Sequence, residues 1–145
     1  MIFASFILIT DGTPKLFPKW HRGLDIKNNF GEPIYAMFNG NAMLGGSNTG
    51  DAGYFFILTS SVNGNTVTSL YFHMQDENRV TGTVRAGDLI GYQGDLGNLA
   101  DAIKNKSTVS HLHIKIKENG ITVNPEDYLK ATVDVTTGEI NSDCD

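Results

Sequence analysis

Three Asn-Gly dipeptides, each set between apolar runs, constrain the fold of this chain more than any other feature: Asn39-Gly40, Asn63-Gly64 and Asn119-Gly120. A two-residue hairpin that matches strand twist needs left-handed backbone at both central positions, and Asn followed by Gly adopts it with the least strain. The flanking runs have strand character. Residues 54–59 are aromatic and aliphatic, and 66–73 return toward His73. Residues 111–117 alternate, with His111, His113, Lys115 and Lys117 on one face and Leu112, Ile114 and Ile116 on the other. Further strands are expected at 2–9, 33–37, 41–44 and 88–93. Helix is confined to two short pieces, one over 99–104 capped by Asn98 and one starting at Asn124-Pro125-Glu126-Asp127 and running through Leu129. With 16 glycines against 4 prolines, the predicted class is mainly β: an antiparallel sheet sandwich or partly open barrel with short hairpins and little helix.

A chain of 145 residues is long enough for one domain with a real core. The net charge of -5 argues against nucleic-acid binding, which wants a basic footprint, and provides no attraction to an anionic membrane surface. The apolar run at 2–9 is too short to span a bilayer. It has no basic residue before it and no small-x-small site after it, so it reads as a buried first strand rather than a leader. The lone Cys144 excludes an intrachain disulfide, leaves the redox compartment open, and reads as a tail thiol.

All four histidines fall into three short motifs: His21-Arg22-Gly23-Leu24-Asp25, Tyr71-Phe72-His73, and His111-Leu112-His113. Imidazole is the commonest zinc ligand among side chains, and three protein ligands with one open position is the catalytic arrangement. In His-x-His the two rings project from one strand face, about 7 Å apart along the chain. One can bind a metal while the other stands beside it; the spacing leaves open which. His21 and Asp25 would lie about 13 Å apart in a straight strand. Two ligands of one zinc bring their donor atoms within roughly 4 Å of each other, so the backbone must bend between them, and Gly23 is the residue that permits it. His73 closes an apolar strand, with Tyr71 two positions earlier on the same face. Tyr71 reads equally as a groove residue and as a packed sheet tyrosine. Taken singly, His-x-His is more often two polar sheet positions and a lone histidine more often structural. The co-occurrence of all three motifs carries the signal.

Together these motifs resemble the lysostaphin-type zinc metalloendopeptidases, the LytM-like family that cuts peptide cross-links in bacterial cell walls. The pattern His-x-Gly-x-Asp, then Tyr-x-His, then His-x-His is present in that order. The connecting segments also match: Gly31-Glu32-Pro33-Ile34-Tyr35-Ala36 with Asn39-Gly40, the glycine-rich stretch from Val84 to Gly94, and Asn124-Pro125 through Tyr128-Leu129. The similarity covers roughly residues 7–129.

The resemblance implies a domain over residues 1–130 followed by an acidic tail at 131–145. It implies Zn2+ held by His21, Asp25 and His113, with His73 and His111 as the catalytic pair. The implied activity is hydrolysis of peptidoglycan stem or bridge peptides, at D-Ala–meso-diaminopimelate or Gly-Gly bonds, by a zinc-bound water outside the cytoplasm. Further domains or regulatory proteins beyond this chain stay open. One departure stands out: twelve residues, 99–110, separate the glycine-rich stretch from His111, and this insertion is expected at the rim of the groove. Two other readings compete. A non-catalytic LytM-like domain would bind wall peptides or regulate a partner hydrolase, but such relatives typically lose ligands and this chain keeps all five positions. A structural zinc site would usually be closed and Cys-rich.

Overall fold

The computed structural model describes residues 23–106, 109–128, 131–133 and 140–142. The expected strand at 2–9, His21, Leu129 and Cys144 lie outside the described residues. In chain order the elements are β1 (Leu24–Lys27), β2 (Pro33–Tyr35), β3 (Gly40–Gly46), β4 (Tyr54–Val62), β5 (Asn65–Met74), β6 (Gly82–Val84), β7 (Leu89–Tyr92), α1 (Asn98–Lys104), β8 (His111–Glu118), β9 (Ile121–Val123), a 3-10 turn at Pro125–Asp127, β10 (Ala131–Val133) and β11 (Ile140–Ser142).

Seven strands form the main antiparallel sheet in the order β1-β8-β5-β4-β3-β6, with β9 beside β1 on the same edge of β8. β2 pairs with β7, and β10 with β11, as separate ribbons. Among the described residues no ladder joins β6 to β1, so the sheet does not close into a barrel. The alternation read in 111–117 holds. Leu112, Ile114 and Ile116 of β8 are buried with Leu24 and Ile26 of β1, Val67 and Tyr71 of β5, and Phe56 and Leu58 of β4. Ile34 of β2 and Ile90 beside it from β7 join the same core. The sandwich's second layer is therefore only a two-stranded ribbon, laid on the inner face of the large sheet. The opposite face is left to carry the site.

Two of the three Asn-Gly signals make the hairpins expected of them. Asn63 and Gly64 (φ 50° and 81°) join β4 to β5, and Asn119 and Gly120 (φ 49° and 83°) join β8 to β9. The third does not. β2 pairs with β7 rather than β3, so Asn39-Gly40 links two different sheets. Asn39 Oδ1 instead accepts the Ala86 N–H at 2.8 Å, bracing the turn between β6 and β7. A Cβ on Gly40 would sit 2.3 Å from the Thr59 carbonyl oxygen, so glycine serves close strand approach there, not the turn.

Helix is as scarce as expected, with corrected ends. Asn98 is the first residue of α1 and not its cap; the cap position is Gly97 at φ 83°, without a side-chain hydrogen bond. The Asn98 N–H donates to the Asp51 carbonyl at 2.8 Å, so a long-range contact starts this helix. The helix expected from Asn124 amounts to the 3-10 turn at Pro125–Asp127. β10 and β11 pair within residues 131–145, where the sequence shows no periodicity.

Candidate active site

Strand register assembles the centre of the site. Asp25 on β1 lies opposite His113 on β8, and His113 lies opposite Phe72 on β5. Residues directly opposite on antiparallel strands share a face, so these three side chains form one row across three strands on the sheet face away from the core. His113 Nδ1 and Asp25 Oδ1 are 2.6 Å apart. The Phe72 ring stacks on the His113 imidazole, with centroids 5.4 Å apart and planes 29° from parallel. Histidine and carboxylate, 88 residues apart in the chain, are thus brought together by the register of the ladder.

His111, two residues before His113, projects to the same side, as the i, i+2 spacing requires. Its Nδ1 donates to the Val109 carbonyl at 2.9 Å, and its Nε2 is 3.6 Å from Asp25 Oδ1. His73 reaches the same place by another route. Alternation along β5 puts Val67, Ser69 and Tyr71 in the core and would send His73 there too. His73 instead has φ 63°, in the left-handed region that a non-glycine residue seldom occupies. That single twist turns its ring out beside Phe72. The expected shared face of Tyr71 and His73 is therefore corrected: Tyr71 is a core residue, fully buried, edge-on to Phe56 and accepting the Met37 N–H through its hydroxyl. Burial pushes the Tyr71 pKa up.

The twist at His73 is held from four sides. Its N–H donates to the Ala52 carbonyl (2.9 Å), its carbonyl accepts the Gly94 N–H (2.7 Å) and the Gln93 side-chain amide (3.1 Å), and its Nδ1 donates to the Leu96 carbonyl (2.9 Å). Because Nδ1 carries the proton, Nε2 is the basic nitrogen of the neutral ring. Burial lowers the His73 pKa to about 4, with the neighbouring imidazoles of His111 and His113 adding to the effect, so the ring is neutral at pH 7. The His73 and His111 rings meet edge to face, centroids 5.8 Å apart.

Gly23 lies at a bend of the chain. What it lacks is room: a Cβ would sit 2.4 Å from His113 Nε2 and 2.6 Å from the Ile114 carbonyl oxygen. Glycine is required there because the His113 ring lies against its backbone.

The imidazoles and Asp25 open into one cleft of about 460 Å³. Its other walls are Phe72, Asp51 and Ala52 from the β3–β4 loop, and Asn98, Leu99 and Ala102 from α1. The described start of the inserted segment, in α1, therefore stands at the rim, as its position in the sequence suggests, with Leu99 buried. Phe72, Asp51 and Asn98 were not legible as cleft residues: the first needs the strand register, the other two need the contact between two distant loops.

Among the described residues no three His, Cys, Asp or Glu side chains group as a metal cage on their own. His21, the third member of the expected ligand set, lies outside them. Asp25 and His113 fit a shared cation in donor chemistry, one carboxylate oxygen and one imidazole nitrogen within the roughly 4 Å that two ligands of one zinc require. His111 Nε2 also lies within that distance of Asp25, so geometry alone does not choose between His111 and His113.

Known proteins resemble this chain in fold and sequence. The catalytic domain of the antimicrobial peptidase lysostaphin from Staphylococcus simulans superposes with a TM-score of 0.58 at 31% identity, covering 76% of this chain and 79% of that one. The catalytic domain of the prophage-encoded M23 protein EnpA from Enterococcus faecalis, in a mutant form, gives a TM-score of 0.60 at 27% identity over 79% of this chain and 82% of that one. DD-carboxypeptidase/endopeptidase Mpg of Neisseria meningitidis serogroup B is 29% identical over 119 residues, which is 82% of this chain and 25% of that protein. This chain thus spans about a quarter of the length of that relative. The sequence profile of Peptidase family M23 matches residues 19–125, a span that runs from before Gly23 to just past β9 and takes in every residue of the cleft described above; the chain belongs to Peptidase family M23.

Proposed function

We propose that this chain is a zinc-dependent endopeptidase acting on peptidoglycan peptides outside the cytoplasm, at D-Ala–meso-diaminopimelate or Gly-Gly bonds. The observation that carries the reading is the convergence of Asp25, His113, His73 and His111 on one open cleft, with the last two rings each anchored through Nδ1 to a backbone carbonyl. In this reading His21, Asp25 and His113 hold the metal. Zinc, when bound, supplies Lewis acidity, which polarises a carbonyl and acidifies water near neutral pH.

The chain's own groups then move the protons. With Nδ1 protonated and fixed, His111 and His73 both turn Nε2 as an acceptor. One takes a proton from the attacking water as the new C–O bond forms at the scissile carbonyl. The same Nε2–H is then a donor for the departing amine nitrogen as the C–N bond breaks. Burial makes His73 hold an added proton weakly, which suits it to pass that proton on. Phe72 keeps the His113 ring in plane beside Asp25. Asn98, Leu99 and Ala102 of α1 form one wall of the cleft that a substrate would enter.

The test is digestion of purified walls of known cross-link chemistry by the zinc-loaded protein, with mass analysis of the products. New amine and carboxyl termini at one type of cross-link are expected. Bound zinc with no product from any wall would leave the non-catalytic reading, a domain that binds wall peptides or regulates a partner hydrolase.

A further inference from the structure

We infer that Gln93 is a positioning residue for the two histidines proposed to move protons. Gln93 is fully buried. Its side-chain nitrogen lies 2.7 Å from the His111 carbonyl oxygen, 3.1 Å from that of His73 and 2.7 Å from that of Gly94. Two N–H protons are divided among three carbonyls, and two of those carbonyls belong to residues 38 positions apart whose rings meet in the cleft. No backbone ladder ties them to each other: β5 pairs with β8 only as far as Phe72 opposite His113, so His73 and His111 both lie beyond the paired segment. The Gln93 amide replaces the missing rung.

The amide itself is fixed. The Gln93 N–H donates to the Glu32 carbonyl (2.9 Å), and its own carbonyl accepts from Gly31 N (2.9 Å) and Gln75 Nε2 (3.1 Å). Asn28 Nδ2 donates to Gln93 Oε1 at 3.4 Å, which sets which end of the amide faces the histidines. An apolar side chain here would fill the same space and leave buried carbonyls short of donors. His73 has the most to lose, because its left-handed backbone persists only while its surroundings enforce it. Gln93 does not line the cleft; its effect passes through the backbones of His73 and His111.

The kinetic arm of the test rests on the peptidase reading, and a spectroscopic arm does not. In Gln93→Met, a near-isosteric change, kcat per zinc-loaded molecule should fall tenfold or more while KM and zinc content stay within twofold. In the metal-free protein, the imidazole nitrogen signals of His73 and His111 should both move away from a single Nδ1–H tautomer, with the His113 signals unchanged. Ring signals identical to wild type overturn the inference, and so does an unchanged kcat in an enzyme that cleaves its substrate. A wild-type protein that cleaves nothing defeats the peptidase reading, and the ring signals then decide the role of Gln93 alone. Should Gln93→Met not fold, Gln93→Glu keeps the shape, loses the donor when ionised, and is read by the same two measurements.

Discussion

The β5–β8 pair ends in two different ways. At the end remote from the cleft, both strands run into Asn-Gly turns, the ladder is regular to Val67 opposite Glu118, and the Asn119 side chain and backbone both bond Thr66. At the cleft end the ladder stops at Phe72, His73 adopts a left-handed conformation, and the strands are tied by a buried amide and by loops distant in sequence. The first end follows strand and turn geometry that local preferences favour. The second departs from strand geometry and is held by the rest. Substitutions at the two ends should therefore separate stability from chemistry.

The largest effects belong to the cleft end. His113→Ala and Asp25→Ala should lose bound zinc and, with it, all measurable turnover. His73→Ala and His111→Ala should retain zinc and lose about 10²–10⁴-fold in kcat, the range typical of a general acid or base. Zinc content by mass spectrometry and turnover of a wall peptide check both. Equal zinc loss in all four variants would erase the division between ligands and proton carriers.

Gly23→Ala comes next. The added methyl overlaps the His113 ring and the Ile114 carbonyl at 2.4–2.6 Å, so either the ring leaves Asp25 or β1 separates from β8. An overpacking cost of about 1–3 kcal/mol is expected, with weakened zinc binding. Metal affinity measured beside denaturant midpoint distinguishes it from a purely structural lesion: a loss of stability with wild-type zinc affinity would show that the ring is not confined by Gly23.

How much of this was legible in the chain follows the same division. The regular end was readable because periodicity and Asn-Gly turns are local signals: β4, β5 and β8 lie where the sequence places them. At the cleft end the motif residues Asp25, His73, His111 and His113 were identifiable and do converge, but their routes were not. Strand alternation assigned His73 to the face of Tyr71, and one left-handed residue reverses that. Asn39-Gly40 carried a turn signal that β2 ignores, because β2 finds its partner in β7, more than fifty residues away. Gln93 gave no sign beyond being a polar residue between Tyr92 and Gly94, since its meaning depends on three carbonyls brought together only in the folded chain.

A smaller effect tests how firmly the cleft end holds His73. In the metal-free protein its pKa lies at about 4, below the ordinary 6.5, so between those values the unfolded chain binds the proton and the folded one does not. Stability then falls as pH drops from about 6.5 to about 4, with a slope of at most about 1.4 kcal/mol per pH unit from this group. His73→Gln should flatten that part of the stability-pH curve measured by denaturant titration in the presence of chelator. A curve as steep as wild type would mean that His73 is not the group responsible and that its ring is less enclosed than its contacts indicate.

The smallest effects lie at the remote end, and there the two turns can be set against each other. Gly64 and Gly120 have nearly the same left-handed φ, and a Cβ at either meets no atom within 4 Å. Alanine at each should therefore cost only the backbone strain, about 1 kcal/mol, and nearly the same in both. The asparagines should not match. Asn119 Oδ1 accepts the Thr66 N–H at 3.0 Å and its Nδ2 donates to Asn65 Oδ1 at 3.1 Å, so Asn119 ties the β8–β9 turn to the start of β5. Asn119→Ala loses those bonds as well as the residue's tolerance of left-handed backbone, and should destabilise by roughly 1–2 kcal/mol, with peptidase activity per folded molecule unchanged. A drop in that activity from a change at this distance would mean that the two ends of the β5–β8 pair are coupled, and that the regular half of the sheet helps set the histidines.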